Sequence, residues 1–173
     1  MIKDGIGLVH LIASVVALVL GTAILVINKG SRAHKKYGYG YCLAMIITLV
    51  TSFFIYRLYG RFGVFHYLAV VSGFTLLRGM LPMLMNRSGA DSLNQHFRSM
   101  YWSVVGLYAA FAAELLVRVP FLYHLFSGIL PRNLFHYLAL FASLAVILVS
   151  LIAFLKKKAK WLKLVQGFKT QKH

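Results

Sequence analysis

The chain has 173 residues, 60% of them hydrophobic and only 13% charged, with a mean hydropathy of +0.76. That composition excludes an ordinary soluble domain and points to an integral membrane protein. The net charge of +16 comes from 19 Lys and Arg against three acids, but these bases form neither a groove nor an aromatic platform, so they are read as membrane topology and no nucleic acid is expected as a partner.

Apolar runs occur at 6–28, 38–58, 62–84, 97–118 and 134–155. Each approaches the roughly 20 residues a helix needs to cross a hydrocarbon core of about 30 Å, and helices are required because backbone polar groups in lipid must be satisfied within the segment. The expected fold is an all-α integral membrane protein of five transmembrane helices, the first four forming an up-and-down bundle. Residues 1–155 form one transmembrane domain, and residues 156–173 form a basic amphipathic tail. The first run is longer than a signal-peptide core and lacks a cleavage pattern, so it is kept as a mature helix.

The connections carry local signals. Between Asn28 and Lys36, Gly30 ends the first helix and Ser31 is placed to cap the second, which sets His34 in an opening turn. Pro82 kinks or ends the third helix. Between Asn86 and Asn94, Ser92 followed by Gln95 fits a capping box, so His96 also falls near the start of its helix. Helix N-termini disfavour a positive imidazolium and keep such histidines neutral. Pro120 and Pro131 punctuate the fourth connection, which contains His124.

The bases divide unevenly. Lys29, Arg32, Lys35, Lys36, Arg78, Arg87, Arg98 and seven tail lysines share one side, while Lys3, Arg57, Arg61, Arg118 and Arg132 share the other. The positive-inside rule makes the richer side cytoplasmic, with the N-terminus outside and the C-terminus inside. The localisation expected is a bacterial plasma membrane. In the tail, Trp161, Leu164, Val165 and Phe168 fall at helical spacing among lysines, so it should lie on the inner leaflet against anionic lipid.

His10, His34, His66, His96 and His136 stand near the starts of the five helices. From His34 a helical stripe runs through Gly38, Tyr41, Met45, Thr48 and Ser52, from His10 through Ser14, Ala17, Gly21 and Asn28, and from His96 through Met100, Ser103, Leu107, Ala110 and Glu114. The stripe from His66, through Val70, Gly73, Leu77 and Met80, is less clear. Small residues suit helix packing on their own account. Phe65-His66-Tyr67-Leu68-Ala69 recurs as Phe135-His136-Tyr137-Leu138-Ala139, either a trace of duplication or an aromatic belt at the interface. Glu114 is the only acid well inside an apolar run, with Arg118 one turn later as a local ion-pair partner.

In an up-and-down bundle the first and third helices are diagonal, as are the second and fourth. His10 with His66, and His34 with His96, are therefore placed to clamp haem b as bis-imidazole pairs, with one or two haems per chain. Gly21, Gly38, Gly73 and Gly106 would give the macrocycle room, and Arg78, Arg98 or Lys35 could meet its propionates. Cys42 is the only cysteine, so such a haem is held non-covalently. Two alternatives stand beside this reading. One is an external transition-metal or proton-linked site built from His10, His66, His136 and Glu114, with His34 and His96 counted as further candidate metal ligands; the other is a structural or partner-binding bundle without cofactor.

The alternation of diagonal histidine pairs is similar to that of the di-haem transmembrane b-type cytochromes of the b-561 type, over helices one to four, although no ascorbate site is recognisable. The stretches His34-Lys35-Lys36-Tyr37-Gly38-Tyr39-Gly40-Tyr41 with Met45 and Ser52-Phe53, then Phe65-His66, then Gln95-His96-Phe97-Arg98-Ser99-Met100-Tyr101, resemble a bacterial family of predicted membrane proteins of unknown function (DUF2306). The family implies no established reaction. Soluble-enzyme motifs are missing: there is no glycine-rich phosphate loop, no paired carboxylates and no nucleophile elbow. Enzymatic action, if any, would be that of a transmembrane oxidoreductase, with membrane lipids, a redox partner or quinone, and a membrane complex or homo-oligomer as the expected partners.

Overall fold

The computed structural model describes residues 5–55, 64–85, 87, 89–118 and 132–170, with the side chains of 64, 117, 118, 132–136, 139, 157 and 159–170 outside the description. Five helices run in order: α1 (Gly5–Val26), α2 (Arg32–Ser52), α3 (Val64–Leu84), α4 (Ala90–Arg118) and α5 (Arg132–Thr170). No strand occurs among the described residues. The protein is an all-α integral membrane protein, as its composition requires.

α1 packs along α2, α3 along α4 and α5 along α4, while α2 with α3 and α1 with α4 close the ring more lightly. No backbone approach joins α1 to α3 or α2 to α4. Those are the diagonals of a four-helix bundle, and α5 lies against its α4 side. Spans within α1, α3 and α4 (Gly5–Val26, Phe65–Leu84 and Ala90–Leu116) are long and apolar enough to cross a membrane, and α5 holds a shorter apolar stretch, Leu140–Lys156. In α2 the bases Arg32, Lys35 and Lys36 occupy the opening turns, which makes this helix the more polar at its start, while the rest of it is largely apolar.

The core forms where the helical stripes meet. Ala17 of α1, Tyr41 and Met45 of α2, Leu76 of α3, and Met100, Val104 and Leu107 of α4 make one buried cluster. At its centre the Tyr41 hydroxyl and the Ser103 hydroxyl are 2.8 Å apart across the α2–α4 diagonal. Leu, Val, Ile and Phe side chains such as Val19, Leu43, Val70, Phe74 and Leu148 point outward and exposed, the reverse of a soluble protein and the surface a lipid-facing bundle presents.

Gly21 shows why small residues line the stripe from His10. A Cβ there would lie 3.1 Å from the Tyr41 ring and 3.3 Å from Val104, so the glycine allows these side chains to fill the bundle axis. The α3 stripe differs from its expected course. His66 shares its buried face with Ala69, Leu76 and Gly79, whereas Val70 and Leu77 are exposed.

Two helix boundaries also differ. α4 starts at Ala90, with the Leu93 amide donating to the Gly89 carbonyl, so Ser92 lies inside the helix and the expected capping box does not form. Gln95 reaches across to α3 instead. α5 continues past residue 155 to Thr170 as one 39-residue helix; the stretch is rich in Lys and Leu, which favour helix, and contains no Pro. How the tail side chains face lipid lies outside the described residues, as do His124, Pro120 and Pro131.

Candidate functional site

The sharpest chemistry sits at the end of the bundle where α1 ends, α2 begins, α3 ends and α4 begins. Gly30, with φ of 79°, takes the left-handed conformation that reverses the chain between α1 and α2. Ser31 then caps α2, its hydroxyl accepting the His34 backbone N–H at 3.1 Å. This cap fixes His34 in the opening turn, as its sequence context indicates.

Pro82 prepares the other half. Proline has no N–H, so inside α3 it leaves the carbonyl four residues earlier, that of Arg78, without its helical donor. The Gln95 side-chain amide supplies one, 3.0 Å from the Arg78 carbonyl. The next residue, His96, has Nδ1 2.7 Å from the Gly79 carbonyl; a carbonyl can only accept, so Nδ1 carries a proton, and in the neutral ring the lone pair is on Nε2. Gly79 permits this closeness, because a Cβ there would come within 2.9 Å of the Met100 sulfur and 3.3 Å of the Met100 backbone nitrogen.

His34 and His96 meet across the diagonal. Their ring centres are 6.4 Å apart and their planes nearly perpendicular at 85°. Both line a cavity of about 430 Å³ whose walls include Ile24, Leu25, Met80, Pro82, Leu93, Phe97 and Met100. Lys29, Lys35 and Arg87 stand around it, and no acid does among the described residues. The Lys29 ammonium also donates to the Ile24 carbonyl at 2.6 Å, holding it at the end of α1.

The His34 Nδ1 is buried and has no hydrogen-bond partner among the described residues. Burial first, then the positive Lys29, then His96, lower its pKa from 6.5 to about 4, so this imidazole ahead of the apolar run of α2 is neutral at physiological pH. The cavity therefore brings two imidazoles, apolar walls and a cationic rim together.

The remaining expected residues lie elsewhere. Arg78 and Arg98 are exposed and do not line the cavity; the bases that do include Lys29 and Arg87, which the sequence offered only as topology signals. Of the glycines expected to make room, Gly38 lines the cavity, whereas Gly73 faces Leu49 and Gly106 faces Ser72.

At the opposite end His10 and His66 are both buried, each with its own partners. His10 turns to Thr48 and Thr51 of α2 and to Glu114 of α4, while His66 lies against the Phe53 ring with centres 6.2 Å apart. Among the described residues no group of three or more His, Cys, Asp or Glu could hold a metal ion. The His136 side chain, and that of Arg118 beside Glu114, lie outside the described residues.

No curated protein and no solved structure matches the chain. Residues 7–155, comprising α1 to α4 and the apolar part of α5, match a family of predicted membrane proteins. The chain therefore belongs to that family, DUF2306.

Proposed function

We propose that the chain is a b-type haem-binding membrane protein that carries single electrons, with one haem held at the basic end by His34 and His96. The observation that carries the reading is the 6.4 Å separation of the two ring centres across the bundle diagonal. Rings brought this close across the bundle would each offer one nitrogen to the same metal centre.

The surroundings support the same group. The Gly79 carbonyl takes the His96 Nδ1 proton, so in the neutral ring Nε2 is the nitrogen that would ligate. The unpartnered His34 Nδ1 marks a ring whose surroundings, in the protein alone, are incomplete, since a buried unsatisfied nitrogen costs about 1–3 kcal/mol. Lys29, Lys35 and Arg87 are placed for two carboxylates. When bound, haem supplies reversible one-electron chemistry whose potential follows its ligands and surroundings. The chain's own apolar walls exclude water, and its cations offset carboxylate charge.

The reading assigns one haem rather than two, because His10 is engaged by Thr48, Thr51 and Glu114. With the basic side cytoplasmic, the haem lies near the inner leaflet of a bacterial plasma membrane, where a quinone or a redox protein would exchange electrons with it. The test is the absorption spectrum of protein purified from haem-replete cells, with His34→Ala and His96→Ala as controls. Haem bound by the wild type and lost from both variants supports the reading.

A further inference from the structure

We infer that His34 is the exchangeable histidine of the pair, and that a small neutral diatomic ligand, with carbon monoxide as its probe, takes its place on the metal while His96 stays bound. The inference rests on the haem reading and adds to it the class of ligand that the same site admits.

The two rings are held unequally. His96 Nδ1 donates to the Gly79 carbonyl at 2.7 Å, which fixes the direction of the ring and makes its Nε2 the more basic. His34 Nδ1 is buried, so it does not open on the cavity, and it has no hydrogen-bond partner among the described residues. Nε2 is then the His34 nitrogen left to ligate, and a proton on Nδ1 has no acceptor there. Loss of such an outer partner weakens a histidine's hold on a metal by roughly 10–100-fold. The Ser31 cap does not make good the difference, because it takes the His34 backbone N–H and not the ring.

Space follows the same division. Beside His96, Gly79 is packed so closely that a Cβ would come within 2.9 Å of the Met100 sulfur, and Met100 itself is buried. One turn on from His34, on the same face of α2, Gly38 lines the cavity, and a Cβ there would meet nothing within 4 Å. Tyr39, the next residue, lines the cavity and is exposed. The His34 ring therefore has room to turn off the metal, towards water that its Nδ1 N–H can reach, whereas the His96 ring is tied to Gly79 and backed by Met100.

Exchange breaks one bond and makes one. The metal–nitrogen bond to His34 breaks with its electron pair returning to Nε2, and the diatomic donates a pair to the ferrous metal in its place. No electron or proton changes hands. The cavity suits such a ligand because Ile24, Leu25, Met80, Leu93, Phe97 and Met100 in its wall are apolar, so a small neutral molecule enters without the desolvation cost that a charged one meets.

The experiment uses the full chain, purified with its haem into phosphatidylcholine nanodiscs, reduced with dithionite and exposed to saturating carbon monoxide. The expected result is a shift of the Soret band to shorter wavelength with loss of the sharp low-spin α band. Resonance Raman scattering just after photolysis of the complex then reads the iron–histidine stretch of the ligand that remained, a frequency that rises when the ring's Nδ1 donates a hydrogen bond. A stretch raised in this way identifies His96. A stretch typical of an imidazole without that bond would show that His96 had left and would overturn the inference. A ferrous spectrum that carbon monoxide does not change would overturn it as well. Both of these results leave the haem reading standing, whereas protein without porphyrin overturns the reading and the inference together. Every spectrum is that of the wild type, so no variant has to fold.

Discussion

His96 on α4 donates its Nδ1 proton to the carbonyl of Gly79 on α3 across 2.7 Å, one residue from the carbonyl that Pro82 leaves without a helical donor. The proline, the glycine and the Gln95-His96 pair thus act as one joint, in which α3 gives up part of its own ladder and α4 completes it. The joint sets the His96 ring towards His34, and the proposed function depends on that direction.

The glycine in this joint is the part most sensitive to size. Gly79→Val should force α3 and α4 apart, because even a Cβ would meet Met100 at 2.9 Å; overpacking of this kind costs about 1–3 kcal/mol. Thermal unfolding in detergent should show that loss, and the variant should also retain less haem than a lipid-facing control such as Phe74→Leu.

Ser31 is the cap that positions His34. Ser31→Ala removes the acceptor of the His34 N–H and should lower stability by about 1 kcal/mol, whereas Ser31→Asp or Ser31→Asn should retain most of it. Chemical or thermal unfolding measures both, and equal loss in all three variants would contradict a capping role.

Tyr41 and Ser103 close the bundle axis between the two ends. Tyr41→Phe leaves the fully buried Ser103 hydroxyl without its partner, with an expected loss of about 1–3 kcal/mol. The double variant Tyr41→Phe with Ser103→Ala should lose less than the sum of the two single changes, as a double-mutant cycle on unfolding would show.

The lowered pKa of His34 gives stability a pH dependence with a definite sign. Its folded value of about 4 lies below its usual 6.5, so the unfolded chain takes up this proton first as pH falls. Stability from a neutral His34 is present above about pH 6.5 and is lost progressively towards pH 4. Melting temperatures of cofactor-free protein across this window should fall more steeply for the wild type than for His34→Gln; parallel curves would contradict the assignment.

Much of the architecture was legible because helical periodicity in an apolar chain leaves few choices. The stripes from His34 and His96 correctly grouped Tyr41, Met45, Thr48, Met100, Ser103 and Leu107 on buried faces. The diagonal meeting of His34 with His96 followed from helix order alone. Spacing could not show that His66 would drift by one position towards Ala69 and Leu76, since a straight helix does not repeat every seven residues. Nor could it show which of many bases would reach the cavity, because Lys29 and Arg87 carry the same topological signal as Arg78 and Arg98. The turn of His10 towards Glu114 depends on the α1–α4 approach, which is a tertiary contact with no local sign. Pro82 and Gln95 were both noticed, but as punctuation and as a cap; only the fold reveals that they serve one another.

The most direct measurement is the reduced-minus-oxidised absorption spectrum of the purified full chain from haem-replete cells, read together with porphyrin content by mass spectrometry. The account predicts a low-spin b-type spectrum at about one haem per chain, as for bis-imidazole ligation, abolished by His34→Ala and by His96→Ala and preserved in His66→Ala. A folded, colourless protein with no porphyrin would contradict it, as would a haem that survives both substitutions.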